Sequence, residues 1–180
     1  MTDLMEIIKG RRSIRKYEDK AVPEEALQQI LEAVQWAPSW TNCQEWEIIV
    51  VKDPETKLKL QETIATKNPA TKAIAAAPVL LAVCGKKKVS GFYNDQPSTK
   101  FGDWYMFDLG IATQNICLTA HSLGLGTVIV GLLDHDKAAA VLNVPDTHDL
   151  MVLIPLGYPA KISTAPKRRE IEEFTHQETF

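Results

Sequence analysis

The stretch DWYMFDLGIATQNICLTAHSLGLG, residues 103–126, constrains the fold more than any other part of the chain. Apolar residues recur in it at helical spacing, and its charged residues are Asp103 and Asp108, both near its start. A helix with so little charge on any face is predicted to be buried nearly all round, and Gly124 is a natural end for it. The rest of the chain must therefore supply layers that enclose this helix.

The remaining segments alternate between helical and extended patterns. Helices are predicted over 2–9, 22–38, 54–65 and 134–144, and strands over 45–53, 78–84, 127–132 and 150–159. Residues 85–102 contain turn residues without a period, which predicts a long surface loop, and residues 160–180 are too polar to bury themselves. On pattern alone, this alternation suggests a doubly wound parallel sheet, although the glycine-rich nucleotide motifs of that fold are absent.

Composition narrows the class of protein. We expect a single domain over residues 1–180, because a chain of 180 residues can bury a core of ordinary size. The three cysteines, Cys43, Cys84 and Cys117, lack metal-ligand spacing, so we predict reduced thiols in a cytoplasmic protein and no metal site. The longest apolar run, residues 73–84, is too short to span a bilayer, so no membrane partner is expected.

A cluster of cations lies near the start of the chain, in the stretch KGRRSIRKY. It contains Lys9, Arg11, Arg12, Arg15 and Lys16, although the formal net charge of the chain is −3. Three explanations compete: a solvated helix end, a nucleic-acid surface and a socket for one anionic ligand. The acidic balance of the chain argues against nucleic acid, because domains that bind it are usually basic along a whole face.

A second informative stretch is WAPSWTNCQEWEIIVV, residues 36–51. The predicted helix stops at Pro38, and the short hydrogen-bonding residues that follow include Ser39 and Asn42. Such a loop suits a polar heterocycle with several donors and acceptors on its rim. Taken alone, however, the stretch is more typical of a helix-to-strand turn whose side chains cap the local backbone.

Taken together, four motifs resemble those of the FMN-dependent nitroreductase family, in the same order and spacing. RRSIRKY (11–17) resembles its RRSxRxY/F pattern, and the loop 37–46 resembles AP-S-x-x-N-x-Q-P-W. The segment 108–126 resembles D-x-G-x-A-x-Q-N-x-x-L-x-A followed by GLG, and PKRREIEEF (166–174) resembles a basic C-terminal motif. Glu45 replaces the usual proline before Trp46, which is expected to alter the rigidity of the loop and not its direction.

The resemblance implies a fold and an activity. It implies a nitroreductase-type three-layer α+β fold, with a mostly antiparallel sheet of four or five strands, and a homodimer whose C-terminal arms are swapped. The implied activity is FMN-dependent NAD(P)H oxidoreduction, with ping-pong hydride transfer through flavin N5 to nitroaromatic, quinone or similar small-molecule acceptors. Other flavin chemistry of the family (reductive dehalogenation, enone reduction, flavin fragmentation) and a non-enzymatic flavin-binding protein remain alternatives.

The family's phosphate and ring contacts match basic residues from both ends of this chain. By the resemblance, Arg11, Arg12 and Ser13 meet the FMN phosphate and ribityl chain, and arginine suits a phosphate because its guanidinium is a planar fork of donors. Arg15 matches the position near the pyrimidine edge of the flavin. Arg168, with Lys167, matches a distal basic pair that returns to the phosphate.

The remaining implied contacts come from three other segments. Pro38, Ser39 and Asn42 would reach the flavin of the partner subunit. Backbone beside flavin N5 matches Ile129, Val130, Gly131 and Leu132, where Gly131 would permit close approach; no side chain is expected to be catalytic. Asn68 and Lys72 match a further ring-edge pair, whereas His121 is predicted to be a core histidine.

Overall fold

The computed structural model describes residues 3–180 and places them in six helices, six strands and two short 3₁₀ turns. The helices are α1 Leu4–Gly10, α2 Glu24–Gln35, α3 Pro54–Glu62, α4 Thr71–Ala76, α5 Tyr105–Ser122 and α6 His135–Val141. The strands are β1 Trp46–Val51, β2 Val79–Lys86, β3 Phe92–Tyr93, β4 Gln96–Pro97, β5 Gly126–Thr127 and β6 His148–Gly157. The 3₁₀ turns are Trp40–Asn42 and Ile171–Glu173.

The main sheet has four strands in the order β1-β2-β6-β5, and every pair of neighbours is antiparallel. The doubly wound parallel alternative is therefore wrong, and the mostly antiparallel arrangement is confirmed. Strands β2 and β6 lie in the middle, and β2 is buried on both faces along most of its length. Such a strand reads as a continuous apolar run, which explains why alternating polarity is absent from VLLAVC.

Helices cover both faces of the sheet and give three layers. On one face, Leu81 and Val83 of β2 belong to the same buried cluster as Ile30 of α2 and Ile116 of α5. On the other face, Leu80 belongs to a cluster formed with residues of α3, α4 and α6. Since successive side chains of a strand point to opposite faces, the central strand supplies both halves of the core.

Two predicted segments differ from the structure. The predicted loop 85–102 is not purely irregular, because β3 and β4 form a two-stranded hairpin within it. The predicted strand 127–132 ends at Thr127, and its pairing with β6 resumes only at Val130, opposite Leu153. The pairs Thr127–Leu156 and Val130–Leu153 keep one register, so the ladder is interrupted and not shifted. This interruption leaves the backbone after β5 outside continuous strand pairing.

The prediction that α5 is buried nearly all round is wrong for the single chain. One face packs on the sheet and on α2, but Phe107 is 61% exposed, and Gly110 and Gln114 are also exposed. These positions, with the half-buried Ile111 and Leu118, follow a seam of three- and four-residue spacing. We call this set the α5 stripe; its spacing is typical of helices that pack along one another.

Residues 160–180 form an arm in which every residue is exposed. The arm therefore contributes nothing to the interior of the described chain, as predicted from its polarity. Within residues 3–180, no helix combines the length and apolarity that crossing a bilayer would require.

Candidate functional site: a cationic segment and a polar loop at opposite ends of α5

The cationic segment lies against β5, next to the C-terminal end of α5. Ser13 forms a parallel bridge with Thr127, and the Ile14 amide donates a hydrogen bond to the Thr127 carbonyl oxygen at 2.8 Å. The Tyr17 hydroxyl lies 2.8 Å from the Ile14 carbonyl oxygen and 3.0 Å from that of Pro155. Burial raises the pKa of Tyr17, so this hydroxyl remains a donor. The segment is thereby fixed to two strands of the sheet.

The arginines of this segment have no carboxylate partner. Arg12 donates to the carbonyl oxygens of Lys9 and Arg11 at 2.5 and 2.7 Å, and the three ion pairs within residues 3–180 include none of the arginines. Beside them, burial and the charges of Arg11 and Arg12 lower the pKa of His121. His121 is half-buried and lines a cavity of about 100 Å³ with both arginines, so it is not the core histidine that was predicted.

The arm brings two further cations to this end of the chain. Arg12 lines a groove of about 970 Å³ together with Lys167 and Arg168, between α1 and the arm. The structure therefore brings basic residues from both ends of the sequence together, as the resemblance implied. Arg15 lies two residues after Ser13 and is exposed, and its Nη1 atom is 3.4 Å from the Ser13 carbonyl oxygen.

The segment after β5 presents backbone and apolar side chains to solvent. Ile129 is 48% exposed and Leu132 is 66% exposed, whereas the Val130 side chain belongs to the core. A Cβ atom built on Gly131 would meet only Val152 Cγ1, at 3.5 Å, so packing within the chain does not require glycine there. The space around Gly131 is open, so its backbone is accessible to a ligand.

Asn68 and Lys72 do not behave as a pair. Asn68 Nδ2 lies 3.4 Å from the Leu132 carbonyl oxygen, and Ala65 donates its amide to the same oxygen at 3.2 Å. Asn68 is thus placed beside the segment after β5. Lys72 is exposed on α4 and makes no side-chain hydrogen bond or ion pair within residues 3–180, so the structure does not bring it into this arrangement.

The polar loop 38–44 lies near the other end of α5. Trp40 donates its amide to Asp108 Oδ2 at 3.0 Å, and Gln44 donates its amide to Ser39 Oγ at 2.9 Å. Asn42 is exposed with φ of 59°, and Pro38 and Asn42 line a groove of about 370 Å³. The loop therefore has a fixed backbone while its amide side chain stays accessible to a ligand.

The two parts of the candidate site are far apart in one chain. Asp108 anchors the polar loop, and His121 borders the cationic segment, thirteen residues along the same helix. At 1.5 Å per residue, these positions are about 20 Å apart along the axis. Within one chain, most of the length of α5 therefore separates the anchor of the polar loop from the border of the cationic segment.

Sequence reasoning missed several residues that hold the site in place. Tyr17 was recognised only as a motif letter, and Ser90, which donates to Asp108 Oδ2 at 2.6 Å, was not singled out. Asp108 itself was noted as a rare charge in a buried helix. Asp108 is 3% exposed in the structure. A charged residue within an apolar helix can therefore be used to predict a buried polar partner, because buried charges are almost always paired.

The residues present fit the cofactor that the resemblance implies. FMN carries a phosphate dianion, which requires several converging donors, and the half-buried Arg11 and Arg12 are not neutralised by carboxylates in the described chain. Ser13 adds a hydroxyl, and Lys167 and Arg168 share the groove of Arg12. This donor set is suited to an anion and unsuited to a metal ion.

Comparison with known proteins assigns the chain to a family. Residues 8–158 match the Nitroreductase family. A Methanothermobacter thermautotrophicus protein with the provisional name NADH dehydrogenase/NAD(P)H nitroreductase is 37% identical over 163 residues, covering 88% of this chain and 78% of that protein. The FMN reductase [NAD(P)H] of Bacillus subtilis is 34% identical over 194 residues, covering 100% of this chain and 75% of that protein.

Structural similarity points the same way. The FMN-dependent nitroreductase of Clostridium difficile R20291 superimposes with a TM-score of 0.82 at 26% identity, over 98% of this chain and 99% of that chain. By sequence, rat iodotyrosine deiodinase 1 is 28% identical over 205 residues, covering 95% of this chain and 68% of that protein. The expected resemblance and three-layer α+β fold are therefore confirmed, and the chain belongs to the Nitroreductase family.

Proposed function

We propose that this chain is an FMN-dependent NAD(P)H oxidoreductase that acts as a homodimer with two shared active sites. Its relatives include an FMN reductase [NAD(P)H] and an FMN-dependent nitroreductase, which supports the cofactor and the reductant. The observation that carries the proposal is the cation cluster at Arg11 and Arg12, which lacks carboxylate partners in the described chain and lies beside an open backbone segment.

The phosphate would be held by Arg11, Arg12 and Ser13, with Lys167 and Arg168 closing over it from the arm. Each hydrogen bond between a charged donor and a phosphate contributes roughly 1.5–3 kcal/mol, so a few of them retain a cofactor without a covalent bond. Arg15 would face the pyrimidine edge, where its charge would stabilise negative charge that develops on reduction. Ile129, Val130, Gly131 and Leu132 would contribute backbone at the ring.

The homodimer follows from the separation of the two halves of the site. Loop 38–44 and the cationic segment lie at opposite ends of α5, so antiparallel packing of two α5 stripes would bring each loop to the partner's cations. The exposed Phe107 and the open position at Gly110 suit close packing of this kind. Pro38, Ser39 and Asn42 would then complete the partner's site, and the arm beyond Arg168 would cross to the partner.

When bound, FMN supplies the two-electron redox chemistry, which the protein's own side chains cannot perform. We propose a ping-pong order in which NADH or NADPH is oxidised and leaves before a nitroaromatic, quinone or similar acceptor is reduced at the same face. The exposed Ile129 and Leu132 would provide apolar contact for a flat acceptor. Asn68 would hold the backbone at Leu132 in place.

An absorption spectrum of the purified protein tests the proposal. A yellow protein that is bleached by NADH or NADPH without oxygen and recovers its colour with menadione or nitrofurazone supports the oxidoreductase. Persistent colour after both reductants would indicate a flavin carrier. A colourless protein that does not take up added FMN would refute the assignment of the cationic segment.

A dehalogenating activity is the second candidate, since the deiodinase is among the relatives. Adding a halogenated phenol such as iodotyrosine to the acceptor panel discriminates the two. Iodide release that exceeds nitro or quinone reduction would favour the second candidate.

A further inference from the structure

Glu45 occupies an unusual environment at the end of the polar loop. The position before Trp46 is the one at which the sequence departs from the proline of the family pattern. In the structure Glu45 is only 5% exposed and immediately precedes β1, which begins at Trp46. A carboxyl group is almost never buried to this degree unless it is paired.

The two carboxylate oxygens of Glu45 have different surroundings. Oε2 accepts a hydrogen bond from Cys43 Sγ at 2.9 Å, whereas Oε1 is buried and finds no hydrogen-bond partner among residues 3–180. Asp108, itself 3% exposed, lies beside it, and polar atoms of Cys43, Glu45 and Asp108 all lie within 4.8 Å of one another. Asp108 Oδ2 accepts hydrogen bonds from the Trp40 amide at 3.0 Å and from the Ser90 hydroxyl at 2.6 Å.

No positive charge balances this pair. None of the ion pairs within residues 3–180 includes Glu45 or Asp108. Lys86 of β2 donates its backbone amide to the Glu45 carbonyl oxygen at 2.9 Å, and Lys86 is exposed and forms none of these ion pairs. Two ionised carboxylates at this distance in a poorly hydrated site repel each other, so one of them is expected to hold a proton.

We propose that Glu45 keeps its proton and donates it from Oε1 to Asp108, so that the carboxyl pair fastens loop 38–44 to the start of α5. Asp108 is the acceptor of the pair, because its two donors stabilise the ionised form. One shared proton then satisfies the orphaned Glu45 oxygen and completes a network that runs from Trp40 to Cys43. Glu45 is thus a positioning residue that acts through the loop, and its link to cofactor binding rests on the proposed function.

The titration of nearby groups agrees with this geometry. Burial, with a contribution from Asp108, raises the pKa of Glu45 above its usual range. Burial and Glu45 raise the pKa of the Cys43 thiol to about 11, so the thiol stays protonated up to pH 9. A group whose pKa is higher in the folded than in the unfolded state stabilises the fold when it is protonated. This contribution is complete below the unfolded pKa and is lost as pH rises through the folded pKa.

The test compares wild type with Glu45→Gln between pH 5 and pH 9. Glutamine has the same shape, donates to Asp108 and accepts from Cys43 without losing a proton. In wild type, the equilibrium constant for folding should fall about tenfold for each pH unit between the unfolded and folded pKa values of Glu45. In Glu45→Gln that part of the slope should disappear, and Glu45→Ala should be destabilised relative to wild type at pH 5, where the carboxyl pair is intact.

Two measurements keep this proposal separate from the proposed function. Chemical denaturation of the FMN-free protein reports the carboxyl pair whether or not FMN binds. FMN titration by fluorescence quenching reports the effect on the loop, and wild type should lose affinity at high pH while Glu45→Gln holds it. If FMN does not bind at all, the proposed function fails, but the pH dependence of denaturation still shows whether Glu45 holds a proton in the folded state.

Two results would overturn the proposal. One is an identical pH dependence of denaturation in wild type and Glu45→Gln. The other is a rise in thermal midpoint with added Zn²⁺ in wild type and not in Glu45→Gln, since a cation would then neutralise Cys43, Glu45 and Asp108 in place of the proton.

Discussion

The contact between Ile14 and Gly126 gives the sharpest prediction about the cationic segment. A Cβ atom added to Gly126 would lie 2.4 Å from Ile14 Cγ1 and 2.8 Å from Ile14 Cβ. Carbon atoms that are not bonded prefer a separation of about 3.5–4.0 Å, so one partner must move by about 1 Å or more. Ile14 is 4% exposed, and its β-branched side chain cannot rotate freely out of the way.

Gly126→Ala should therefore displace the segment that carries Arg12 and Ser13. Overpacking of this kind costs about 1–3 kcal/mol, which corresponds to a decrease of about 2–12 °C in the thermal midpoint for a chain of this size. The amide of Ile14 would also lose its 2.8 Å hydrogen bond to Thr127. We expect a weaker affinity for FMN by about tenfold or more, since charge-assisted hydrogen bonds at the phosphate would be lengthened.

Gly131→Ala is the matched control, because it makes the same chemical change five residues further along. Its new Cβ would meet only Val152 Cγ1, at 3.5 Å, which is an ordinary contact. Thermal midpoints from circular dichroism should separate the two variants. FMN affinity from fluorescence quenching is compared between Gly126→Ala and wild type, because Gly131 lies in the segment proposed to contact the flavin ring. If Gly126→Ala kept the wild-type midpoint and affinity, or if both variants lost stability equally, the Ile14 contact would not be what fixes this segment.

Three further predictions concern the shared site. Arg12→Ala should weaken FMN binding by about 10- to 100-fold with little change in the midpoint of the FMN-free protein, and unchanged occupancy would remove Arg12 from the phosphate site. Asn42→Ala should lower both FMN occupancy and turnover with an NADH-dependent acceptor assay; normal activity would mean that the loop does not reach the partner's cofactor. Phe107→Glu should shift the protein toward monomer in sedimentation analysis and release FMN, and a retained dimer would place the interface elsewhere.

Long periodic elements were predictable from sequence because their pattern is set locally. The segment 103–126 gave α5 to within a few residues at each end. Helix α4, with the sequence TKAIAA, was missed because six residues carry less than two turns of periodicity. The interruption after β5 was also invisible, since it depends on how Val128 and Ile129 meet β6 and not on their own apolar, β-branched character.

The candidate site divides along the same line. The family resemblance grouped the N-terminal arginines with Lys167 and Arg168, and the structure places Arg12 in one groove with both. The separation between loop 38–44 and that groove could not be predicted, because it depends on how both pack against the length of α5 in the structure. The burial of Glu45 could not be predicted from sequence either, because it arises only when Asp108 and Cys43 pack beside it in the folded chain.

The exposed arm contributes to the proposed ligand site and not to the interior of its protomer. Because none of the side chains from 160 to 180 fills the interior of its own protomer, cutting the chain at Ala160 would leave that interior nearly whole. The same cut would remove Lys167 and Arg168 from the groove of Arg12. Truncation at Ala160 should therefore weaken ligand binding while the thermal midpoint of the ligand-free protomer stays close to that of the full chain.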